Sequence, residues 1–221
     1  MQQQAVAVLD VVRQAAPAPG TTWLQCSTVG VEGADRTVGL AGELGLVLVD
    51  CPVLGTKQPA ADGTLTLLAS GPDEARERLA PVLDALGSRT LWLGEAGQGS
   101  RLELACNSWL FMLTAGTAQA IALARGLGLD PQRFLDAIAG GPVDSPYAHL
   151  EGRLMLQGEY PPSFGLAGAA EDARLIRAAL QDAGVPDRLT AAVLETMEAA
   201  AGRLDDPGAA DMAAIVEGLA R

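Results

Sequence analysis

The sequence predicts an α/β lobe followed by an all-α C-terminal domain with a long central helix. Three observations carry that prediction. Up to about residue 95, short runs rich in Val, Leu and Thr alternate with amphipathic stretches of helical period. Beyond Gly97 the strand signal stops, and apolar residues recur at helical spacing to the end of the chain. Gly94, Gly97 and Gly99 stand between the two regimes, so domains of residues 1–95 and 96–221 are expected.

In the first domain, Val6 to Ala16 has helical spacing and is closed by Pro17-Ala-Pro-Gly20. Thr22 to Cys26 follows as a strand, Glu32 to Leu44 as a helix, and Leu46 to Asp50 and Thr64 to Ala69 as strands, with Gly55-Thr56-Lys57 in a loop between them. A helix over Asp73 to Leu86 and a strand over Thr90 to Leu93 complete the lobe. In open α/β sheets ligands gather at the carboxyl ends of strands, which here are Ser27-Thr28 and Cys51 to Thr56.

The second domain opens with a helix running from Gly97 to about Arg125, stopped by Gly126 and Gly128. Its middle, Trp109 to Gln119, is apolar on nearly all sides but too short and too interrupted by Thr114 and Thr117 to span a membrane, as suits a buried central helix. Asp130-Pro131 starts the next helix and Gly140-Gly-Pro142 ends it. Ser145-Pro146 opens a helix towards Met155, and others are expected over Leu166 to Ala183, over residues 187–202, and from Ala209 onward after Asp205-Asp-Pro-Gly208.

Composition narrows the function. A formal charge of −12 repels nucleic acid and anionic membrane surfaces. One lysine, Lys57, stands beside fourteen arginines, and one histidine, His149, leaves no His-rich metal site, so no metal is expected. Three cysteines without a C-x-x-C pair, and no signal peptide, indicate a reducing, cytoplasmic setting. Cys26 and Cys51 each leave a strand at the same end, so they are either neighbours at the ligand end of the sheet or two small buried hydrophobes.

Ser100, Glu103 and Asn107 fall on one face of the long helix, bringing a carboxylate and an amide to its first turns. That face serves proton chemistry, or is solvated with Arg101 paired to Glu103. Ser27 and Thr28 either cap the following helix or hold a carboxylate. Tyr147 and His149 either line a cleft or are a packed tyrosine and a surface histidine.

Gly97, Gly99 and Asn107, together with Gln25-Cys-Ser-Thr-Val29, Asp50-Cys-Pro-Val-Leu-Gly-Thr56 and Gly63-Thr-Leu-Thr66, resemble the β-hydroxyacid dehydrogenases, in the 3-hydroxyisobutyrate dehydrogenase branch of the 6-phosphogluconate dehydrogenase-like superfamily. The likeness continues through Gly126-Leu-Gly-Leu-Asp130, Gly140 to Pro146, Phe164, Glu171-Asp172 and Asp211-Met212. It implies a partial Rossmann-like first lobe, NADP or NAD as cofactor, a small-molecule substrate and a homodimer joined through the helical domain. It also implies roles: Glu103 and Asn107 catalytic, Ser27, Thr28, Gly55, Thr56 and Lys57 around the substrate carboxylate, and Phe164 and Glu171 towards the cofactor. Asp172 is expected to cap or pair structurally.

Three departures accompany the resemblance. The lysine that polarises the substrate oxygen in this family is Glu103 here, and a second, cofactor-facing lysine is Glu171, which inverts the local charge. Lys57 is either a substitute cation or a solvated loop residue. The glycine-rich dinucleotide turn G-x-G-x-x-G is absent from these 221 residues. By resemblance the chain holds the back half of a cofactor domain, as a truncation or with its front half supplied by another polypeptide. Two functions follow: an NAD(P)-dependent oxidoreductase of a small hydroxyacid, carbonyl or imine, or a catalytically degenerate protein, that is a pseudoenzyme, or a repurposed non-redox one.

Overall fold

The computed structural model describes residues 2–220, with side chains from Val8 onward; Met1 and Arg221, the outer limits of the two expected domains, lie outside them. The chain divides into two compact units, Met1–Cys106 and Asn107–Arg221.

The first unit runs α1 (Gln2–Ala15), β1 (Thr22–Gln25), α2 (Gly30–Leu44), β2 (Val47–Asp50), β3 (Val53–Leu54), α3 (Lys57–Ala61), β4 (Leu65–Ala69), α4 (Asp73–Leu86) and β5 (Gly87–Trp92), and ends in the first turns of α5 (Gln98–Gly126). β1 and β2 pair in parallel with Gln25 opposite Asp50. β4 pairs antiparallel with β3 and parallel with β5. The two small sheets meet where Asp50 and Ser70 exchange backbone hydrogen bonds of 2.9 and 2.7 Å. Val49, Leu65, Leu67 and Ala69 from the strands, with Cys51 just past β2, pack on Ala75, Leu79 and Leu83, the buried stripe of α4.

Three local details depart from the sequence reading. β3 and α3 occupy the stretch expected as loop, because elements of two and five residues are too short to display a period. β5 starts at Gly87 rather than Thr90, since a Cβ on Gly87 would come within 2.3 Å of the Leu65 carbonyl oxygen; the residue that reads as a breaker permits the strand pairing. α2 starts two residues before Glu32, at Gly30, and ends with Gly45 in the left-handed region at φ 64°.

The beginning of α5 is held by the strand ends. The Ser100 N–H and hydroxyl donate to the two oxygens of the Asp50 carboxylate at 2.8 and 2.7 Å, and the Gly99 N–H donates to the Ser70 hydroxyl oxygen at 2.9 Å. All of these groups are buried. Side chains from β2 and the end of β4 therefore do the work of a helix cap for a 29-residue helix. Approach is so close that a Cβ on Gly99 would lie 2.2 Å from the Leu68 carbonyl oxygen and 2.9 Å from that of Asp50. These bonds draw the start of α5 into the α/β unit.

The second unit comprises the rest of α5, then α6 (Gln132–Ile138), α7 (Pro146–Gln157), α8 (Leu166–Asp182), α9 (Arg188–Ala201) and a 3-10 helix over Met212–Leu219. Its core contains Phe111, Ile121, Leu135, Met155, Leu166, Met197, Met212 and Ile215, each under 2% exposed. The last element starts at Met212 rather than Ala209, because Asp206 holds Gly208 and Ala209 in a turn and Asp211 takes over the capping. Asp211 is 2% exposed; it accepts from Ala213 N–H through one oxygen and from Ser163 and Phe164 N–H through the other.

Two acids in this unit are buried. Glu151 on α7 is raised to about 7, first by burial and then by the Asp211 charge, with a hydrogen bond from Tyr147 opposing. Asp172 on α8 is also raised to about 7, by burial and then by Glu171. Asp172 has no hydrogen-bond partner or ion pair among the described residues, so the expected structural pairing is not found; burial is what distinguishes it.

Two outcomes follow. Asp50→Asn turns one oxygen that accepts from Ser100 into a donor, and should lower the unfolding free energy by about 2 kcal/mol in a denaturant titration; an unchanged midpoint and slope would contradict the capping assignment. For Glu151 and Asp172 the folded pKa lies above the unfolded value, so their stabilisation is full below about pH 4 and is lost as pH rises through about 7. The melting temperature should thus fall between pH 5 and 8, and Glu151→Gln should flatten the slope. Asp144 and Asp187, whose carboxyls are lowered, act below that window. A melting temperature that rises over this range would contradict the account.

Candidate functional site

At the carboxyl end of β1 the chain turns through Cys26-Ser27-Thr28 into α2. The buried Gln25 side chain clamps this turn: its carbonyl oxygen accepts from Ser27 N–H at 2.6 Å and its amide donates to Ser27 C=O at 2.7 Å. Ser27 is left exposed and Thr28 half-buried. The Thr28 hydroxyl does not cap α2, whose N-cap position Val29 offers no side-chain bond. Instead it donates to the Glu103 carboxylate at 2.6 Å.

Glu103 is 3% exposed. It is therefore not part of a solvated face, and Arg101 turns away from it to Asp35 at 2.7 Å and to the Gly97 carbonyl at 3.0 Å. The expected face of Ser100, Glu103 and Asn107 is divided: Ser100 is engaged by Asp50, while Glu103 meets Thr28. Asn107 follows one turn later on the same helix and is half-buried. Thr28 and Glu103 form an oriented hydroxyl–carboxylate pair, a combination that can accept or deliver one proton at a ligand oxygen.

The second candidate group is less assembled. Gly55, at φ 129°, avoids a 2.7 Å contact of a Cβ with the Leu65 side chain, so its missing side chain serves local packing. Thr56 stands at the N-cap of α3 without a side-chain capping bond, and Lys57 is the exposed first residue of that helix rather than a loop residue. In the helical unit Phe164 packs its ring on Phe111, centroids 6.0 Å apart, and Glu171 is half-buried on α8. Tyr147 is half-buried against Glu151, while His149 meets Asp144 at 2.7 Å.

Residues that sequence reasoning passed over are Asp50, Ser70 and Glu151. Asp50 and Ser70 act across 50 and 29 positions of sequence, which no local pattern displays. Glu151 was visible in principle, since it occupies the buried stripe Ala148, Glu151, Gly152 and Met155 of α7, where an acid breaks the apolar period.

A dinucleotide needs a pyrophosphate cradle, usually open N–H groups at a helix start. α5 does not supply one, because Asp50 and Ser70 already take its Gly99 and Ser100 N–H groups and carbonyl oxygens crowd Gly99. α4 begins with Asp73 and Glu74 and α2 carries Glu32 in its first turn, charges that oppose a phosphate. The starts of α2, α4 and α5 thus do not present an open, uncharged pyrophosphate cradle. Among the described residues no cluster of three or more His, Cys, Asp or Glu is arranged to hold a metal, and no helix is long and apolar enough to cross a membrane.

Residues 97–219 match the family model described as NAD-binding of NADP-dependent 3-hydroxyisobutyrate dehydrogenase, and residues 1–94 that of the NAD binding domain of 6-phosphogluconate dehydrogenase. Glyoxylate/succinic semialdehyde reductase 1 of Arabidopsis thaliana is 30% identical over 90% of this chain and 68% of its own length. The chloroplastic reductase 2 of the same plant is 30% identical over 90% of the chain but only 55% of its own length, so the chain spans about half of that relative. The crystal structure of 3-hydroxyisobutyrate dehydrogenase from Salmonella typhimurium superposes with a TM-score of 0.85 at 25% identity, covering 96% of this chain and 75% of that one. A partial Rossmann-like lobe and an all-helical C-terminal domain, matched in order by both family models, make this chain a member of the 3-hydroxyisobutyrate dehydrogenase-like family.

Proposed function

We propose that the chain is an NAD(P)-dependent oxidoreductase interconverting a small hydroxyacid and its carbonyl, or an imine and its amine, with Glu103 moving the proton. The observation that carries this reading is the 2.6 Å bond from Thr28 to the buried Glu103 at the helix position where the family resemblance has a lysine. The nicotinamide supplies or accepts hydride when bound. The chain's own part is the proton: Glu103 in its acid form donates to the substrate oxygen or nitrogen on reduction and recovers it on oxidation, while Thr28 orients the carboxyl. Asn107 orients the reacting atom, and Ser27, Gly55, Thr56 and Lys57 hold the acid group. Phe164 and Glu171 are the cofactor-side candidates. Glyoxylate and succinic semialdehyde, in the names of the two plant relatives, are the first substrates to assay, with 3-hydroxyisobutyrate in the oxidative direction.

Because the starts of α2, α4 and α5 offer no open pyrophosphate cradle, the KM for the cofactor should lie in the upper part of the usual range of about 1 μM–1 mM. With NADPH or NADH near saturation, turnover is expected for one of these substrates, and Glu103→Gln should lower kcat by roughly 10²–10⁴-fold without changing the fold. Unchanged turnover in that variant would remove Glu103 from the mechanism.

The second reading, a degenerate or repurposed non-redox protein, is favoured by one observation: anions, Glu103 and Glu171, stand where the family carries two cations. Absence of heat on titrating the folded chain with NADPH and then NADH to millimolar concentration would select it.

A homodimer belongs to the same proposal. A shallow groove of about 260 Å³ on the helical unit is lined by Trp109, Met112, Phe134, Ile138 and Val143, and Trp109 and Val143 are 66% and 75% exposed. Light scattering should give twice the chain mass, and Trp109→Glu should give the monomer; a monomeric wild type would contradict it. Three free thiols suit a cytoplasmic setting.

A further inference from the structure

We propose that Cys26 and Cys51 are a reversible thiol-oxidation site, in which a peroxide oxidises Cys26 and Cys51 resolves it to an intramolecular disulfide. The inference goes beyond the oxidoreductase reading and does not depend on it.

The fold puts the two residues side by side. β1 and β2 are parallel, and their last pair is Gln25 opposite Asp50, closed by the Cys51 N–H donating to the Gln25 carbonyl at 2.7 Å, so Cys26 and Cys51 each leave the pair as the next residue, at the same end. Neighbouring strands lie about 4.7–4.9 Å apart, inside the roughly 4.4–6.8 Å between Cα atoms that a disulfide accepts. The two thiols also lie within interaction range, since each shifts the other more than any other group does.

Their surroundings divide the labour. Cys26 is exposed and Cys51 is 0% exposed. The hydrogen bond from Cys51 lowers the Cys26 thiol, with burial and the Asp50 charge opposing, and the same bond, together with burial, keeps the proton on Cys51. Solvent thus reaches Cys26 and not Cys51, so Cys26 is the sulfur a peroxide meets first. Cys106 is half-buried, and burial followed by the Glu103 charge raises its thiol, so it serves as the internal control.

The chemistry closes with hydrogen peroxide as oxidant. The Cys26 thiolate attacks one peroxide oxygen, an S–O bond forms as the O–O bond breaks, and the leaving hydroxide takes a proton to become water. The Cys51 sulfur then displaces the hydroxyl of the sulfenic acid, forming the S–S bond, and its proton departs with that hydroxyl as a second water. Two thiols lose two hydrogens and one peroxide is reduced to two waters. The new bond would join the exits of β1 and β2, beside Thr28 and Asp50, the residues that reach Glu103 and Ser100.

The test is treatment of the folded chain with hydrogen peroxide at neutral pH, followed by intact mass and tryptic mapping. The expected product is lighter by about 2 Da, retains one of three thiols, and yields peptide 14–36 linked to peptide 37–57; dithiothreitol restores it. Cys26→Ser, an exposed and conservative change, should retain both remaining thiols under the same treatment. Cys51→Ala should leave Cys26 as a sulfenic acid that dimedone captures. Persistence of all three thiols, oxidation of Cys106 first, a disulfide between chains, or loss of the Cys51 thiol in Cys26→Ser would each overturn the proposal.

Discussion

The Asp50 carboxylate accepts both the backbone N–H and the hydroxyl of Ser100, and Ser70 takes the neighbouring N–H of Gly99. A long helix entering from a loop leaves several donors without intrahelical partners, and burying them unsatisfied would cost on the order of 1–3 kcal/mol each. Placing an anion there also meets the positive end of the helix dipole. The same contact requires a glycine, because two carbonyl oxygens already occupy the space of a Cβ on Gly99. With this end anchored on β2 and β4, the rotation of α5 is set, and Glu103, one turn further, arrives at the Thr28 hydroxyl.

The chemistry proposed for the site depends on that geometry more than on the local charge. A lysine at the Glu103 position would polarise an oxygen by its charge; a carboxyl group acts there by transferring a proton, and needs a fixed orientation to do so. The Thr28 bond supplies the orientation, and the Gln25 clamp on Ser27 in turn supports Thr28. The anchoring of α5 has an opposite consequence for the cofactor. N–H groups engaged by Asp50 and Ser70 do not receive a phosphate, so Gly99 serves close packing rather than a dinucleotide turn.

What the sequence makes legible is local. The switch from alternating strands and helices to helices alone follows from hydrophobic period and from three glycines, and the structure has it. The strand exits at Cys26 and Cys51 were readable because each ends an apolar run, and parallel pairing then brings the two thiols together. Contacts between distant segments were not readable. Ser100 and Glu103 share a helix face in any helical drawing, yet their partners lie 50 and 75 residues upstream and send them to different tasks. Thr28 reads as a capping residue by type, and a long-range acceptor overrides that preference.

Amide hydrogen exchange of Gly99 and Ser100 in the folded chain tests the anchoring of α5 most directly. The account predicts that both amides exchange as slowly as those of the β2 and β4 core, since each is buried and bonded to a strand-end side chain. Exchange at the rapid rate of an open helix terminus would contradict it, and with it the positioning of Glu103.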